Sequence, residues 1–508
     1  MYTENYLGER LRSASVGAEA RTFLDDHRTG ERLSYGDFFA NAERMAQVLV
    51  EAGLQPGDRV AVQAPKTIAM LELYVGAVLA GGVFLPLNTA YTAAELSYFL
   101  GDARPRVFVC DPEKSDALRP VADEAGVGTI LTLSSDESGT LAEKRDAAVG
   151  GFRAVPRNAE DLAAILYTSG TTGRSKGAML THRALASNAE VLTDYWHFTS
   201  DDVLIHALPI FHTHGLFVAT NITLMAGSSA IFLAGFDSDA ILVHMERATV
   251  LMGVPTFYVR LLQHHNLAEA ARGMRLFISG SAPLLAETHN KWRKVTGHAI
   301  LERYGMTETN MNTSNPYDGD RRAGTVGFPL PGVEVIVTNP DTGEALPQGE
   351  IGMVEVRGPN VFAGYWQMPE KTAEELRANG FFITGDLGQI DDRGYLHIVG
   401  RGKDLIISGG YNVYPKEIEL LIDDVPGVDE SAVIGVPHPD FGEGVVAVVV
   451  PVKGQTVTSD SVMAAIGSDL ARFKQPKRVI VVDELPRNTM GKVQKNELRQ
   501  TYADLLQG

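Results

Sequence analysis

AAILYTSGTTGRSKGAML, residues 163–180, carries an apolar run into a turn of glycines and hydroxyls and then back into a second short apolar run. Gly170, Gly173 and Gly177 allow backbone N–H groups to converge on an anion, Thr168, Ser169, Thr171 and Thr172 add hydroxyl donors, and Lys176 adds charge. The stretch reads as a strand leading into a phosphate loop. It is not the Walker type, which needs Gly-Lys-Ser/Thr after four spacer residues, because Lys176 stands between Ser175 and Gly177. A kinase or motor is therefore disfavoured.

Apolar β-rich runs at Arg59 to Gln63, Val107 to Val109, Ala163 to Tyr167, Ser229 to Phe232 and Leu276 to Ser279 alternate with helical segments such as Tyr35 to Ala52. That alternation predicts an α/β fold with layered, largely parallel sheets. Near 325 the pattern shifts to period two in GVEVIVTN and IGMVEVRG, around the turn-rich NPDTGEALPQGE, which predicts a small antiparallel β subdomain. Beyond GRGKD at 400–404, about 100 residues mix YPKEIELLID and SVMAAIGSDLARF as helices with SAVIGV, GVVAVVVPV and KRVIVVDE as strands. The expected division is a large N-terminal domain, 1–400, and a small mobile α+β C-terminal domain, 401–508, with GRGKD as the hinge.

A chain of 508 residues, 44% hydrophobic and 21% charged, can build its core without staples. The single cysteine, Cys110, cannot close an intramolecular disulfide, and MYTENYLGERLRSAS lacks the apolar stretch of a signal peptide, so a reducing cytoplasm is expected. IAMLELYVGAVLAGGVFLPLN, at 68–88, is interrupted by Glu72, Gly81, Gly82 and Pro86, which favours a buried helix turning into a strand over a membrane span. A net charge of −18 speaks against nucleic-acid binding and confines any phosphorylated ligand to a local pocket.

TSGTTGRSKG, YGMTE at 304–308, TGD at 384–386, GRGKD and PRNTMGKVQK at 486–495 follow one another in the order found in adenylate-forming acyl-CoA synthetases, a superfamily shared with peptide-synthetase adenylation domains and beetle luciferases. The chain resembles that superfamily over nearly its whole length. The resemblance implies ATP, Mg²⁺ and coenzyme A as ligands and a reaction in two stages. A carboxylate attacks the α-phosphorus of ATP to give an acyl-adenylate and pyrophosphate, and a thiol then displaces AMP. It also implies roles by position. Thr168, Ser169, Gly170, Thr171, Thr172, Gly173 and Lys176 close over the β- and γ-phosphates. Ser281 and Ala282, with Gly280, form a backbone edge near nucleotide and acyl group. Tyr304, Gly305 and Met306 hold the adenine side, with Tyr304 stacking on the ring. Thr307 meets the α-phosphate, Glu308 holds Mg²⁺, and Asp386 and Arg401 reach the ribose. Lys492 brings its ammonium between carboxylate and α-phosphate, and is the place where a lysine-acylating regulator would act. Lys403 is the hinge, and Gly409 and Gly410 pass the pantetheine chain. Read singly, Asp386 could be a turn former, and Arg401 and Lys492 solvated charges.

Arg303 stands before Tyr304, where relatives that take aryl or fatty acids commonly carry a small residue lining the acyl pocket. On its own it could turn to the surface or pair with a structural acid. Beside His212 and Thr213 of PIFHTHGL, it reads as the planar fork that holds a second carboxylate. Its closeness to Tyr304 makes the pocket short and favours malonate, with methylmalonate beside it, over longer diacids. The alternatives are a synthetase for another short carboxylic acid and a stand-alone adenylation enzyme loading a carrier protein. His206, His212 and His214 lack the acid or cysteine that zinc would ask for.

Overall fold

A computed structural model describes residues 2–168, 175–408, 411–439, 441–467, 470, 472–488 and 491–507. The chain packs as two compact units, one of residues 1–335 with 356–382 and the other of residues 336–355 with 383–508.

Two sheets build the first unit. The six-stranded one runs Thr129–Thr132, Val107–Cys110, Arg59–Gln63, Val83–Pro86, Leu162–Thr168, Lys176–Thr181, parallel throughout except for the last pair. Its strands read as unbroken apolar runs because both faces are covered. Ala61, Leu85, Phe108 and Ile165 enter one apolar cluster, while Val60, Val62, Phe84, Val107 and Ala164 enter the other, as a period of two requires. The nine-stranded sheet has six parallel strands at its centre: Leu301–Met306, Leu276–Ser279, Val250–Gly253, Val203–His206, Ser229–Phe232 and Thr22–Asp26. Antiparallel strands flank them on both edges.

The apolar run at 68–88 is the helix Ile68–Leu79, buried at every residue and capped by Thr67, which accepts a hydrogen bond from the Met70 N–H at 3.2 Å. Gly81, at φ +76°, turns the chain into the strand Val83–Pro86. Among the described residues no helix is long and apolar enough to cross a membrane.

The division differs from the one read in the sequence. Strands Phe382–Ile390 and Leu396–Arg401 pair antiparallel with Asp386 opposite Arg401, so the ladder ties Arg401 to the TGD turn. Most of the four-stranded sheet Glu334–Thr338, Gly352–Arg357, Phe382–Ile390, Leu396–Arg401 therefore goes with the second unit, where the sequence reading had placed it in the N-terminal domain. The rest of that unit is a mixed five-stranded sheet around Gly442–Pro451. Its valine run is buried on both faces: Val445, Ala447 and Val449 meet Ile418 and Ile422 of the helix Pro415–Asp423, while Val446, Val448 and Val450 join Leu498 of the helix Lys495–Thr501.

Candidate active site

The phosphate-loop strands form an antiparallel hairpin whose last pair is Thr168 opposite Lys176. Ser169, Gly170, Thr171, Thr172 and Gly173 lie outside the described residues. Lys176 is only 8% exposed. Its Nζ donates to both carboxylate oxygens of Glu375, at 3.1 and 3.2 Å, and stands 4.1 Å from the ring centroid of Tyr365. The sequence singled out the lysine but neither of these neighbours.

YGMTE closes a second hairpin. Strands Leu301–Met306 and Asn310–Ser314 pair antiparallel through a loop of three residues, Thr307 to Thr309, and Asn310 takes the left-handed conformation at φ +51°. Gly305 is dictated by space, since a Cβ there would lie 1.9 Å from the Asn310 carbonyl oxygen. The loop tip presents Thr307, half-buried, and Glu308, buried. Its backbone is held by a single segment: the Phe362 N–H donates to the Glu308 carbonyl at 2.8 Å, and Asn360 Nδ2 donates to the Thr309 carbonyl at 2.6 Å. The Tyr365 hydroxyl lies 3.0 Å from Glu308 Oε1 and 2.6 Å from Glu375 Oε2.

Arg303, in the middle of its strand, points inward and is 3% exposed. The guanidinium lies over Gly280, where a Cβ would come within 2.3 Å of its Cζ. Among the described residues its Nε and Nη2 meet no acceptor. Burial pushes its ionisation down to about 9, which still leaves the group charged at neutral pH. The ring of His214 is nearby: burial first, and then the Arg303 charge, keep it well below the usual imidazole range, hence neutral. Its Nδ1 is 3.3 Å from Ser281 Oγ, and among the described residues its buried Nε2 meets no partner, nor do Thr213 Oγ1 and Ser279 Oγ. Ser281 holds φ +70°, an uncommon conformation for a residue with a side chain, and Ala282 beside it is exposed. His212 and Thr213 precede the π-helical turn His214–Thr220.

His214 is the residue of this group that sequence reasoning missed. Grouping it with His206 and His212 as a metal candidate hid its place two residues beyond His212. His206 instead donates from Nε2 to the Gly215 carbonyl at 2.9 Å and meets the Lys66 ammonium through Nδ1 at 3.1 Å.

In the second unit Arg401 Nε donates to Asp386 Oδ1 at 2.8 Å, so the two residues expected at the ribose form an ion pair across their ladder. The Thr384 hydroxyl accepts from the Asp386 N–H at 3.0 Å and braces the TGD turn. Lys403 stands on the short turn Gly402–Asp404, open to solvent but partly desolvated by its neighbours, which lowers its pKa. Lys492 is exposed, and its backbone N–H donates to Asn488 Oδ1 at 2.9 Å. Gly409 and Gly410 lie outside the described residues.

No three His, Cys, Asp or Glu side chains gather as a metal cage among the described residues. One buried carboxylate at a hairpin tip nevertheless fits Mg²⁺, which keeps several waters and takes one or two carboxylates together with substrate phosphates. Such an ion would be completed by the nucleotide.

A phosphate-loop hairpin and a second hairpin carrying a buried carboxylate, on a layered α/β unit followed by a smaller α+β unit, define a class. The chain belongs to the AMP-binding enzymes: the family matches residues 12–366, and the C-terminal domain of AMP-binding enzymes matches residues 417–492. Within that class it is similar to ATP-bound MatB from Rhodopseudomonas palustris, with a TM-score of 0.97 and 61% identity over 99% of this chain and 100% of that one. Malonate–CoA ligase from Arabidopsis thaliana is 34% identical over 93% of this chain and 85% of its own length. Feruloyl-CoA synthase from an Amycolatopsis species is 37% identical over 93% and 94%.

Proposed function

We propose that the protein joins malonate to coenzyme A using ATP, through a malonyl-adenylate, with release of pyrophosphate and then AMP, and that methylmalonate is a second substrate. The observation that carries the choice of acid is the buried Arg303 guanidinium lying on Gly280 with two donors unpaired. A charge so placed asks for an anion. A hydrogen bond to a charged group contributes about 1.5–3 kcal/mol net, while stranding a buried charge costs several kcal/mol. A monocarboxylate thus loses roughly one to three orders of magnitude. Neutral His214 adds a hydrogen-bonding ring without a competing charge, and Gly280 leaves room for the guanidinium itself.

The chain's other residues serve the two stages. One carboxylate of malonate is held by Arg303, and the other is directed at the α-phosphorus. Thr168 to Lys176 line the β- and γ-phosphates, Ser281 and Ala282 edge the nucleotide, and Tyr304 with Gly305 and Met306 holds adenine. Thr307 meets the α-phosphate. Glu308 is the metal carboxylate, and bound Mg²⁺ supplies charge neutralisation at phosphate oxygens. Asp386 and Arg401 hold the ribose as a preformed pair. Lys492 supplies a cation during adenylate formation, Lys403 is the hinge, and Gly409 and Gly410 flank the path of the CoA thiol. The exposure of Lys492 suits an acylating regulator, and the lone buried Cys110 suits the cytoplasm.

The test is a panel of carboxylic acids assayed for AMP release with and without CoA, on the parent and on Arg303→Gly. Malonate turnover is expected to fall by roughly two orders of magnitude in the variant, with acetate, propionate and butyrate gaining relative to malonate. ATP affinity measured without acid should hold. A variant that keeps the parent's preference for malonate over butyrate removes Arg303 as the diacid anchor.

A further inference from the structure

One segment of the chain, residues 360–375, touches both nucleotide hairpins. Its backbone is laced to the phosphate-loop strand: the Trp366 N–H donates to the Gly177 carbonyl at 2.8 Å, the Ala363 N–H to the Met179 carbonyl at 2.8 Å, and the Met179 N–H to the Gly364 carbonyl at 3.0 Å. It also holds the Thr307–Thr309 loop through Asn360 and Phe362. Its side chains repeat the connection. Lys176 of the first hairpin pairs with Glu375, Glu375 accepts from the Tyr365 hydroxyl, and that hydroxyl reaches Glu308 of the second hairpin.

The hydroxyl has one proton and faces two carboxylates, at 3.0 and 2.6 Å, so it donates to one at a time. Glu375 is already neutralised by two ammonium groups, Lys176 at 3.1 Å and Lys371 at 3.0 Å. It can therefore accept the hydroxyl's hydrogen bond or do without it. We propose that Tyr365 is a positioning residue for the Glu308 carboxylate, and that the Glu375–Lys176 pair is its counterpoise. With no cation present, the hydroxyl alternates between Glu375, at the shorter distance, and Glu308, and its bond to Glu308 fixes that rotamer at the loop tip. When Glu308 turns its oxygen to a divalent cation, the hydroxyl donates to Glu375 instead, and no buried polar group is stranded at either stage. Lys176 takes part by holding Glu375 in reach, so the phosphate loop and the metal carboxylate are set by one shared hydrogen bond. The inference rests on the reading of Glu308 as the metal carboxylate.

The experiment is calorimetric binding of ATP, without acid, over a series of Mg²⁺ concentrations. It uses the full-length parent, Tyr365→Phe, Glu375→Gln, the double variant and Glu308→Gln. Tyr365→Phe keeps the ring that packs 4.8 Å from Phe362 and lies under Lys176, and removes only the hydroxyl. Half-saturating Mg²⁺ should rise about tenfold, the cost of ordering one long carboxylate side chain that the hydroxyl no longer holds, while ATP affinity at saturating Mg²⁺ stays within about twofold of the parent. Glu375→Gln should shift Mg²⁺ dependence in the same direction, and the double variant should be no worse than Tyr365→Phe, because both act through one hydroxyl. An unchanged Mg²⁺ dependence in Tyr365→Phe overturns the inference, and so does an ATP affinity lowered equally at every Mg²⁺ concentration. If Glu308→Gln shifts the Mg²⁺ dependence and Tyr365→Phe does not, the metal reading stands and the positioning role falls. If Glu308→Gln leaves it unmoved, the metal reading fails and takes the inference with it.

Discussion

Gly280 and Arg303 illustrate how much of this site is decided by single atoms. The strand Leu301–Met306 puts Arg303 one residue ahead of Tyr304, and the hydrogen ladder of the sheet fixes which way its side chain leaves the backbone. Where the guanidinium then lies depends on the neighbour strand Leu276–Ser279 being followed by a residue with no side chain. A methyl group on Gly280 would come within 2.3 Å of Cζ, so the fork must move by more than an ångström. Gly280→Ala is therefore expected to raise the KM for malonate and lower its turnover, together by about two orders of magnitude in kcat/KM, while leaving ATP binding in the absence of acid within a few-fold. Steady-state kinetics beside calorimetry separates the two. An equal loss of ATP affinity would mean that the backbone edge of Gly280, Ser281 and Ala282 had collapsed, and not that the fork had been displaced.

At the scale of one helix, Ile68–Leu79 shows how an apolar run can carry a charge into the core and make stability depend on pH. Glu72 is buried, with Asn41 donating to one oxygen at 2.7 Å and Arg145 to the other at 3.0 Å. Desolvation nevertheless outweighs both partners and raises its pKa from 4.5 to about 7. Between those values the folded protein binds a proton that the unfolded chain does not. This contribution to stability is thus fully present below about 4.5, falls as pH rises, and is gone above about 7. Glu72→Gln has no such proton to lose. Measured by chemical or thermal denaturation from pH 5 to 8, the parent should lose about 1–3 kcal/mol relative to the variant. A pH-independent difference would mean that Arg145 holds the carboxylate ionised throughout. Here the sequence was enough to mark Glu72 as an interruption and the segment as a buried helix, since a period-free apolar run with a charge and a glycine pair does not suit a bilayer. That Asn41 and Arg145 receive the carboxylate was not legible, because they come from helices 31 and 73 residues away.

For the whole molecule the test is the separation of two half-reactions. Lys492 sits on the smaller unit, in a turn braced by Asn488, and its proposed charge acts only while the carboxylate meets the α-phosphorus. Lys492→Ala should abolish adenylate formation from malonate and ATP and spare thioester formation from supplied malonyl-adenylate, read as pyrophosphate release and malonyl-CoA formation respectively. Equal losses in both would give the lysine a structural role. What the sequence determined by itself was whatever is local or periodic: the parallel strands from their two-sided apolar runs, the valine-rich strand of the smaller unit, the glycine-rich loop, and the class from five motifs in order. It also marked Arg303 as out of place. What only the tertiary structure decided was where that arginine lies and which residues it meets. The same holds for the assignment of residues 336–355 and 383–400 to the smaller unit, for the neutral His214 beside Arg303, and for the chain of contacts from Lys176 through Glu375 and Tyr365 to Glu308. These are pairings between residues tens to hundreds of positions apart, selected by the sheet register and by the need to satisfy polar groups taken out of water. No local pattern encodes them, since the same side chains on a free strand or helix would be content with solvent.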